Sequence, residues 1–417
     1  MPIPRLRYVL FMWLCKTSGK AYKHEWEKGS AEVQTQQACA NPEAVGMSPQ
    51  NVSRIVKCFL RQHAKGAFPG GQLVLRREGK VVINEALGVS RGFRDDEAEV
   101  VLKTTADTLF PFYSCGKPLS AVAIAMLEDK GLLDIHEPIA SIFPEFSKQG
   151  KSKITTYDVL THRSGILLPH LHRRFDLWSN KSAITKQLIE SKPMYNRGTL
   201  AYQPNEFSWI LSEIVSRIDG RELADYIEQE ISAPLNLPLL KFGLPAHSPV
   251  AKSYWLGKGN VMIGGNNIAE DYETYANSPA YFNCRNPSFS LVSNAASLAE
   301  FYECLVNGGI SNAGYSLLSE NTLRRYTRRH VFAWDKTLKS FNSMGCGFMT
   351  GLITPTSYGW WNTSKCFGHA GMFSCLAFGD YDKRISVAIA TNGNRGLYDY
   401  MKRFIHLSHA CRKACVS

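Results

Sequence analysis

The chain has 417 residues, of which 44% are hydrophobic, and carries a formal net charge of +12 at pH 7. This length accommodates one large or two ordinary domains around a substantial buried core. The basic residues are spread along the chain without a long run, so the positive balance does not indicate a nucleic-acid partner.

The amino-terminal segment differs in composition from the rest of the chain. Its first 24 residues hold five basic residues, no acidic residue and the short apolar run YVLFMWLC. That run is far shorter than the roughly 20 residues that cross a bilayer, so no stable membrane span is predicted. We expect residues 1–40 to form an amino-terminal arm or, as the alternative, a secretory or organelle targeting segment.

The cysteines and histidines do not suggest a metal centre. The eleven cysteines form no CxxC pair and have no histidine at zinc-ligand spacing. They are predicted to be structural thiols in a reduced intracellular compartment, cytoplasmic or mitochondrial, with secretion as the alternative. His170 and His172 resemble a metal-binding pair in spacing only, because no Cys or acidic cluster accompanies them. No metal and no cofactor are expected.

The strands are predicted at the two ends of the chain, with helices between them. The segment Pro69–Gly88 indicates two strands joined by a turn at Glu78-Gly79. Apolar residues at helical spacing follow Ser114, and Gly131 marks the end of that helix. Helical patterns continue to about Tyr281.

After Ser288 the sequence predicts one more helix, then two strands within MFSCLAFGDYD and RISVAIATN, then a carboxy-terminal helix. The expected fold is therefore an α/β sandwich of the α+β type, with helices flanking one antiparallel sheet built from both ends of the chain. The predicted boundaries are a single domain over 41–417, with sheet parts at about 41–113 and 285–417 and a helical insertion at about 114–284.

Ser114 and Lys117 are the first candidate catalytic residues. Residues three apart on a helix share a face, so the Lys117 amine is expected to lie over the Ser114 hydroxyl. A serine becomes a nucleophile when a base removes its proton, and burial at the positive end of a helix lowers a lysine pKa enough to make that base. The backbone N–H of Ser114, at the start of the helix, is available for an oxyanion.

Other hydrolytic and nucleotide-binding signatures are absent from the sequence. There is no GxSxG, HExxH, Walker A or GxGxxG pattern. Cys115 follows the serine but lies about 100° round the helix, which argues against a thiol nucleophile. The aromatic segment Tyr358–Asn362 is expected to be either core or the wall of an acyl pocket, with core favoured.

Several blocks in order resemble one family, the serine β-lactamase and penicillin-binding-protein superfamily, in its class-C-like esterase branch. The blocks are PGGQLVLRREGKVVINEALG, TLFPFYSCGK, ITTYDVLTHRSGI, the segment after RGTLAYQPNEF, and CFGHAGMFSCLAFGDYDKRISVAIATN. The resemblance covers roughly residues 42–394. It implies a β-lactamase/transpeptidase-like fold.

The resemblance also implies further site residues. Tyr202 stands at the family's second motif, where its phenol would relay a proton between serine, lysine and leaving group. His369, Ala370 and Gly371 match the third motif and would contact substrate, and the N–H of Met372 would be the second oxyanion donor beside that of Ser114. At Gly371 the missing Cβ is expected to let substrate lie against the backbone.

Two departures from the family pattern narrow the range of expected substrates. Lactamases of this type have Tyr-x-Asn at the second motif, whereas this chain reads Tyr202-Gln203-Pro204, with Asn205 one place late. The third motif has His369 where lactamases have lysine. Both departures favour an uncharged ester or amide as substrate over a β-lactam.

The sequence therefore predicts a serine hydrolase, carboxylesterase-like, that acts on a small-molecule ester or amide through an acyl-serine intermediate. Alternatives are an acyltransferase or a peptidase using the same intermediate, or a catalytically inert scaffold of this fold. The sequence indicates no oligomeric state.

Overall fold

The computed structural model describes residues 33–35, 39–94, 100–245, 248–257, 262–263, 266–352 and 355–416. Most of the predicted amino-terminal arm lies outside these residues. Within it, Val33–Thr35 forms a strand that pairs with Glu85–Leu87, so the sheet begins before residue 41.

Ten strands form the main sheet in the described part of the chain, and six short strands lie outside it. In chain order the strands are β1 Val33–Thr35, β2 Gly70–Arg77, β3 Lys80–Arg91, β4 Leu102–Lys103, β5 Phe110–Tyr113, β6 Tyr254–Trp255, β7 Met262–Ile263, β8 Asn266–Asn267, β9 Leu291–Ser293, β10 Val331–Asp335, β11 Ser340–Met344, β12 Met349–Thr350, β13 Cys366–Gly371, β14 Cys375–Asp380, β15 Ile385–Thr391 and β16 Gly393–Asn394. The order across the main sheet is β1-β3-β2-β15-β14-β13-β12-β11-β10, with β4 paired to β3.

All neighbouring strands of this sheet are antiparallel. The amino-terminal hairpin β2–β3 joins the carboxy-terminal strands through β15, where Leu73 lies opposite Ile389. The predicted sheet built from both ends of the chain is thus confirmed. The turn of the β2–β3 hairpin contains Glu78 and Gly79, both with positive φ, as a tight hairpin turn requires.

Helices cover both faces of the sheet. They span Pro49–Ala64, Lys117–Asp129, Thr156–Leu160, Lys181–Glu190, Glu206–Asp219, Leu223–Ile227, Ile268–Ala276, Pro279–Asn283, Ala295–Val306, Glu320–Thr327 and Leu397–Lys413. The first of these was not anticipated from the sequence; Ser48 caps it by accepting from the N–H of Asn51, and Pro49 occupies its first turn. No helix among the described residues is long and apolar enough to cross a membrane.

Successive side chains along each strand point to opposite faces of the sheet, so the core is divided into two layers. In β2, Leu73 and Leu75 pack with the amino- and carboxy-terminal helices, whereas Val74 faces the opposite layer with Lys117–Asp129 and Ala295–Val306. Because helices cover both faces, the central strands β2 and β15 are buried along nearly their whole length. The result is a three-layer α/β sandwich, which confirms the predicted fold class.

A buried ion pair attaches the last helix to the sheet. Arg412 donates from Nε to Asp380 Oδ2 in β14 at 2.6 Å, and the two side chains are 9% and 0% exposed. Removing one member of a buried pair leaves the other charge without compensation.

We therefore expect Arg412→Ala to lower the free energy of unfolding by about 3–5 kcal/mol, measured by denaturant titration. The control is Arg174→Ala, which breaks the exposed pair with Asp176 and should leave stability unchanged. Equal effects of the two substitutions would contradict a stabilising role for the buried pair.

Candidate active site

The backbone at Tyr113 turns sharply and presents Ser114 at the start of a helix. β5 pairs with β9 and ends at Tyr113, which has φ 47° and ψ −125°, a conformation that is unfavourable for a residue with a side chain. Tyr113 is buried, and its hydroxyl lies 2.7 Å from Ser253 Oγ and 3.2 Å from the Tyr272 hydroxyl. These contacts hold the strained turn, and a 3₁₀ turn over Ser114–Gly116 leads into the helix.

Lys117 is fully buried, and its amine has three polar neighbours. Nζ lies 2.7 Å from the Pro204 carbonyl oxygen, 2.9 Å from that of Ser288 and 3.2 Å from Ser114 Oγ. Burial holds the pKa of Lys117 well below its usual value, and the carboxylate of Glu206 partly opposes this shift. A neutral amine has two N–H groups for the two carbonyls, which leaves its lone pair for the Ser114 hydroxyl proton.

Tyr202 completes a hydrogen-bonded group around Ser114. Its hydroxyl donates to Ser114 Oγ at 2.9 Å, and its ring centroid lies 4.8 Å from Lys117 Nζ. Burial raises the pKa of the Tyr202 phenol, so the hydroxyl keeps its proton. Ser114 Oγ thus accepts from the phenol while its own proton is free to face the amine.

Two buried side chains hold the backbone of the second motif. Asp335 Oδ1 accepts from the N–H of Tyr202, and His162 Nδ1 accepts from the N–H of Gln203, both at 3.1 Å. The His162 ring also packs on the Tyr202 ring, with centroids 4.8 Å apart. The position of the phenol therefore depends on residues 40 places before it and 133 places after it in the chain.

The edge of β13 lies beside the Ser114 turn. The Cys115 thiol donates to the His369 carbonyl oxygen at 3.1 Å, and the His369 ring lies 5.9 Å from that of Tyr202. His369 Nδ1 donates to the Ala370 carbonyl at 2.7 Å, so Nε2 is the unprotonated nitrogen, and it has no hydrogen-bond partner among the described residues. Burial, followed by the proximity of Lys117, lowers the pKa of His369 to about 3.

Gly371 lies in close contact with the strand before Ser114. A Cβ at this position would lie 2.2 Å from the Phe112 carbonyl oxygen and 2.5 Å from Cys375 Sγ. The close neighbour of that Cβ is therefore the strand that leads to the Ser114 turn, and substrate contact at Gly371 stays a prediction.

The peptide between Gly371 and Met372 has a fixed orientation. Its carbonyl oxygen accepts from the N–H of Ser374 at 3.0 Å, and in a trans peptide the N–H of Met372 points the opposite way. Met372 has φ 41°, and its own carbonyl accepts from Asn394 Nδ2 at 2.8 Å. The roles of Ser114 and Met372 as oxyanion donors, and of Ala370 in substrate contact, stay predictions.

The Gln203 amide of the second motif is engaged within the protein. Gln203 is fully buried and donates from Nε2 to the Ile166 carbonyl at 3.1 Å, while Asn205 is 5% exposed. Pro204 contributes only its backbone carbonyl, to Lys117.

Among the other candidates from the sequence, His172 contacts Glu206, which influences Lys117, whereas His170 and Tyr358 have partners elsewhere. His172 Nε2 lies 3.0 Å from Glu206 Oε1, and His170 bonds to Gln187. No group of three potential metal ligands occurs among the described residues. Tyr358 packs on Phe378 in the layer behind the sheet, which places it in the core.

Glu206, Ser288, His162 and Asp335 were not identified from the sequence. Glu206 is buried, and although burial alone would raise its pKa, the ring of His172 and the N–H of Leu168 lower it. Glu206 is an acidic residue within an apolar helical pattern, and this was the sequence feature that could have indicated a functional role. Ser288 acts through its carbonyl, which any residue would supply, so no sequence signal existed.

Comparisons with known proteins match nearly the whole chain. The family model described as Beta-lactamase matches residues 52–410. The chain is 23% identical over 372 residues to the esterase/beta-lactamase LipL of Mycobacterium tuberculosis (strain ATCC 25618 / H37Rv), covering 83% of this chain and 82% of that protein.

Solved structures give the same fold. A penicillin-binding protein homologue from Caulobacter crescentus superposes with a TM-score of 0.75 at 25% identity, covering 92% of this chain and 100% of that one. A family VIII carboxylesterase superposes with a TM-score of 0.75 at 22% identity, covering 91% and 100%. At this identity, the similarity to the carboxylesterase shows the fold alone.

The close approach at Gly116 gives a test of the site's construction. A Cβ there would lie 2.0 Å from the Pro287 carbonyl oxygen, next to the Ser288 carbonyl that contacts Lys117. We expect Gly116→Ala to cost about 3 kcal/mol or more in unfolding free energy, because backbone cannot yield as a side chain does. The control Gly131→Ala, with open space but a positive φ, should cost only about 1 kcal/mol. Similar losses in both would contradict the tight contact.

Proposed function

Because this chain belongs to the β-lactamase family, we propose that it is a serine hydrolase that cleaves an uncharged carboxylic ester through a covalent acyl-Ser114 intermediate. The observation that carries this proposal is the arrangement of Lys117 Nζ and the Tyr202 hydroxyl, 3.2 and 2.9 Å from Ser114 Oγ. A buried amine with a lowered pKa beside a hydroxyl is the arrangement that activates a serine.

In the proposed mechanism, neutral Lys117 takes the proton of Ser114 as Oγ bonds to the ester carbonyl carbon. The N–H groups of Ser114 and Met372 stabilise the negative oxygen of the tetrahedral intermediate. The carbon–oxygen bond to the alcohol breaks, and Tyr202 donates its proton to the leaving oxygen and regains one from Lys117. Water then adds to the acyl carbon and gives a proton to the same basic groups. The bond from that carbon to Ser114 Oγ breaks, Oγ takes the proton back, and the carboxylic acid leaves.

The preference for an uncharged substrate follows from the third motif. His369 is neutral over the physiological range because its pKa is about 3, so it offers no fixed positive charge to a substrate carboxylate. The side chain of Gln203 is bonded to Ile166 and does not offer an amide to an acylamino group. An ester with an apolar or polar uncharged acyl group needs neither contact.

The proposed nucleophile can be tested by covalent labelling. A fluorophosphonate probe should label the wild-type chain at Ser114, and Ser114→Ala should lose both the label and p-nitrophenyl ester hydrolysis, the latter by at least about 10³-fold. The matched control is Ser120→Ala, a buried serine on the same helix whose hydroxyl contacts Ser208; it should keep the label. A peptide map that places the label elsewhere in the Ser114→Ala variant would rule out this nucleophile.

The proposed base predicts the shape of the pH profile. Only neutral Lys117 is active, so kcat/KM should be constant above its lowered pKa and fall as pH drops through that pKa. His369 should contribute no titration between about pH 5 and 9, because its pKa is about 3. The measurement is kcat/KM for a p-nitrophenyl ester against pH.

The variant Glu206→Gln tests the direction in which the acid limb of this pH profile moves. The Glu206 carboxylate raises the pKa of Lys117, so its removal should move the acid limb to lower pH. A limb that stays in place or moves to higher pH would assign the titration to another group.

A further inference from the structure

The outward face of the β10–β11 hairpin carries three exposed aromatic side chains, which we call the aromatic patch. Phe332, Trp334 and Phe341 are 54%, 45% and 62% exposed. Phe341 contacts both others, with ring centroids 5.7 Å from Phe332 and 5.4 Å from Trp334. Single exposed apolar residues are ordinary, but a contiguous cluster on one hairpin indicates an interaction surface.

Exposed basic residues flank the aromatic patch. Arg328 and Arg329 precede β10, Lys336 and Lys339 lie in the turn, and all four are exposed without an ion pair among the described residues. The only acid between positions 321 and 345 is Asp335. It is buried, so it does not offset this charge at the surface.

We propose that the aromatic patch docks on the surface of an anionic lipid membrane. Aromatic rings partition into the boundary between headgroups and acyl chains, while lysine and arginine attract anionic headgroups. Among the described strands, β10 also lies at the edge of the sheet beside β11, and edge strands pair with other chains. A second copy would bring the same four cations together, so charge complementarity favours the membrane.

The inner face of the same hairpin reaches the candidate active site. Val331 and Ala333 pack on a small cluster that contains Leu200, Tyr202 and Met344. Asp335, at the end of β10, accepts from the N–H of Tyr202. Docking would therefore place the Tyr202 region at the membrane. If the proposed ester hydrolysis is correct, esters dissolved in the bilayer become accessible substrates; docking itself does not depend on that activity.

Vesicle flotation with the full chain tests the docking. The wild type should bind vesicles with about 30% phosphatidylserine in phosphatidylcholine at least about tenfold more tightly than pure phosphatidylcholine, and added salt should weaken binding. Phe332→Ser combined with Trp334→Ser and Phe341→Ser should lose binding to both. Lys336→Glu with Lys339→Glu should lose at least about tenfold, specifically on anionic vesicles.

Matched controls separate this surface from the general basic character of the chain. Trp361→Ser removes an exposed aromatic elsewhere, and Lys148→Glu with Lys153→Glu reverses two exposed lysines elsewhere; both variants should bind like the wild type. Equal binding by wild type and hairpin variants would overturn the proposal. So would self-association, without vesicle binding, that disappears in the aromatic variant, because the surface would then belong to a second copy. The lysine variant tests the proposal even if the aromatic variant does not fold.

Discussion

The burial of the Lys117 amine is the constraint on which the candidate active site depends. Moving an ammonium group out of water is costly, so burial lowers the pKa of Lys117, which is the shift that the proposed base requires. The Pro204 and Ser288 carbonyls satisfy its N–H groups. Because these carbonyls come from segments 87 and 171 residues away, the amine connects three parts of the chain.

Close backbone contacts fix the geometry around that amine. Gly116 lies against the Pro287 carbonyl, and Gly371 lies against the Phe112 carbonyl. Both contacts exclude a Cβ, so β5, the Ser114 turn and the edge of β13 approach one another more closely than side chains would permit. The strained conformation of Tyr113 is maintained within this packing. Strain at such a position is stable only where the surrounding structure determines it.

The site combines features shared across the family with features that narrow its chemistry. A neutral His369 and an internally bonded Gln203 remove the groups that would hold a charged or acylamino substrate. The β10–β11 hairpin then links the position of Tyr202, through Asp335, to an exposed aromatic surface. The proposed substrate selection and the proposed membrane docking therefore involve neighbouring elements of this chain.

The sequence by itself determined the fold class, the hairpin β2–β3, the helix after Ser114 and the family. These features follow from patterns within short segments and from the order of the motifs. Residues three apart share a face within one helical turn, and side chains alternate between faces within one strand. Tertiary structure alone decided the partners of Lys117, the anchors Asp335 and His162, the role of Glu206 and the close contact at Gly371. These contacts join residues far apart in sequence, and several act through backbone carbonyls, which any residue can supply. The residues that make these contacts therefore leave no recognisable pattern in the sequence, and the contacts form only when the layers pack.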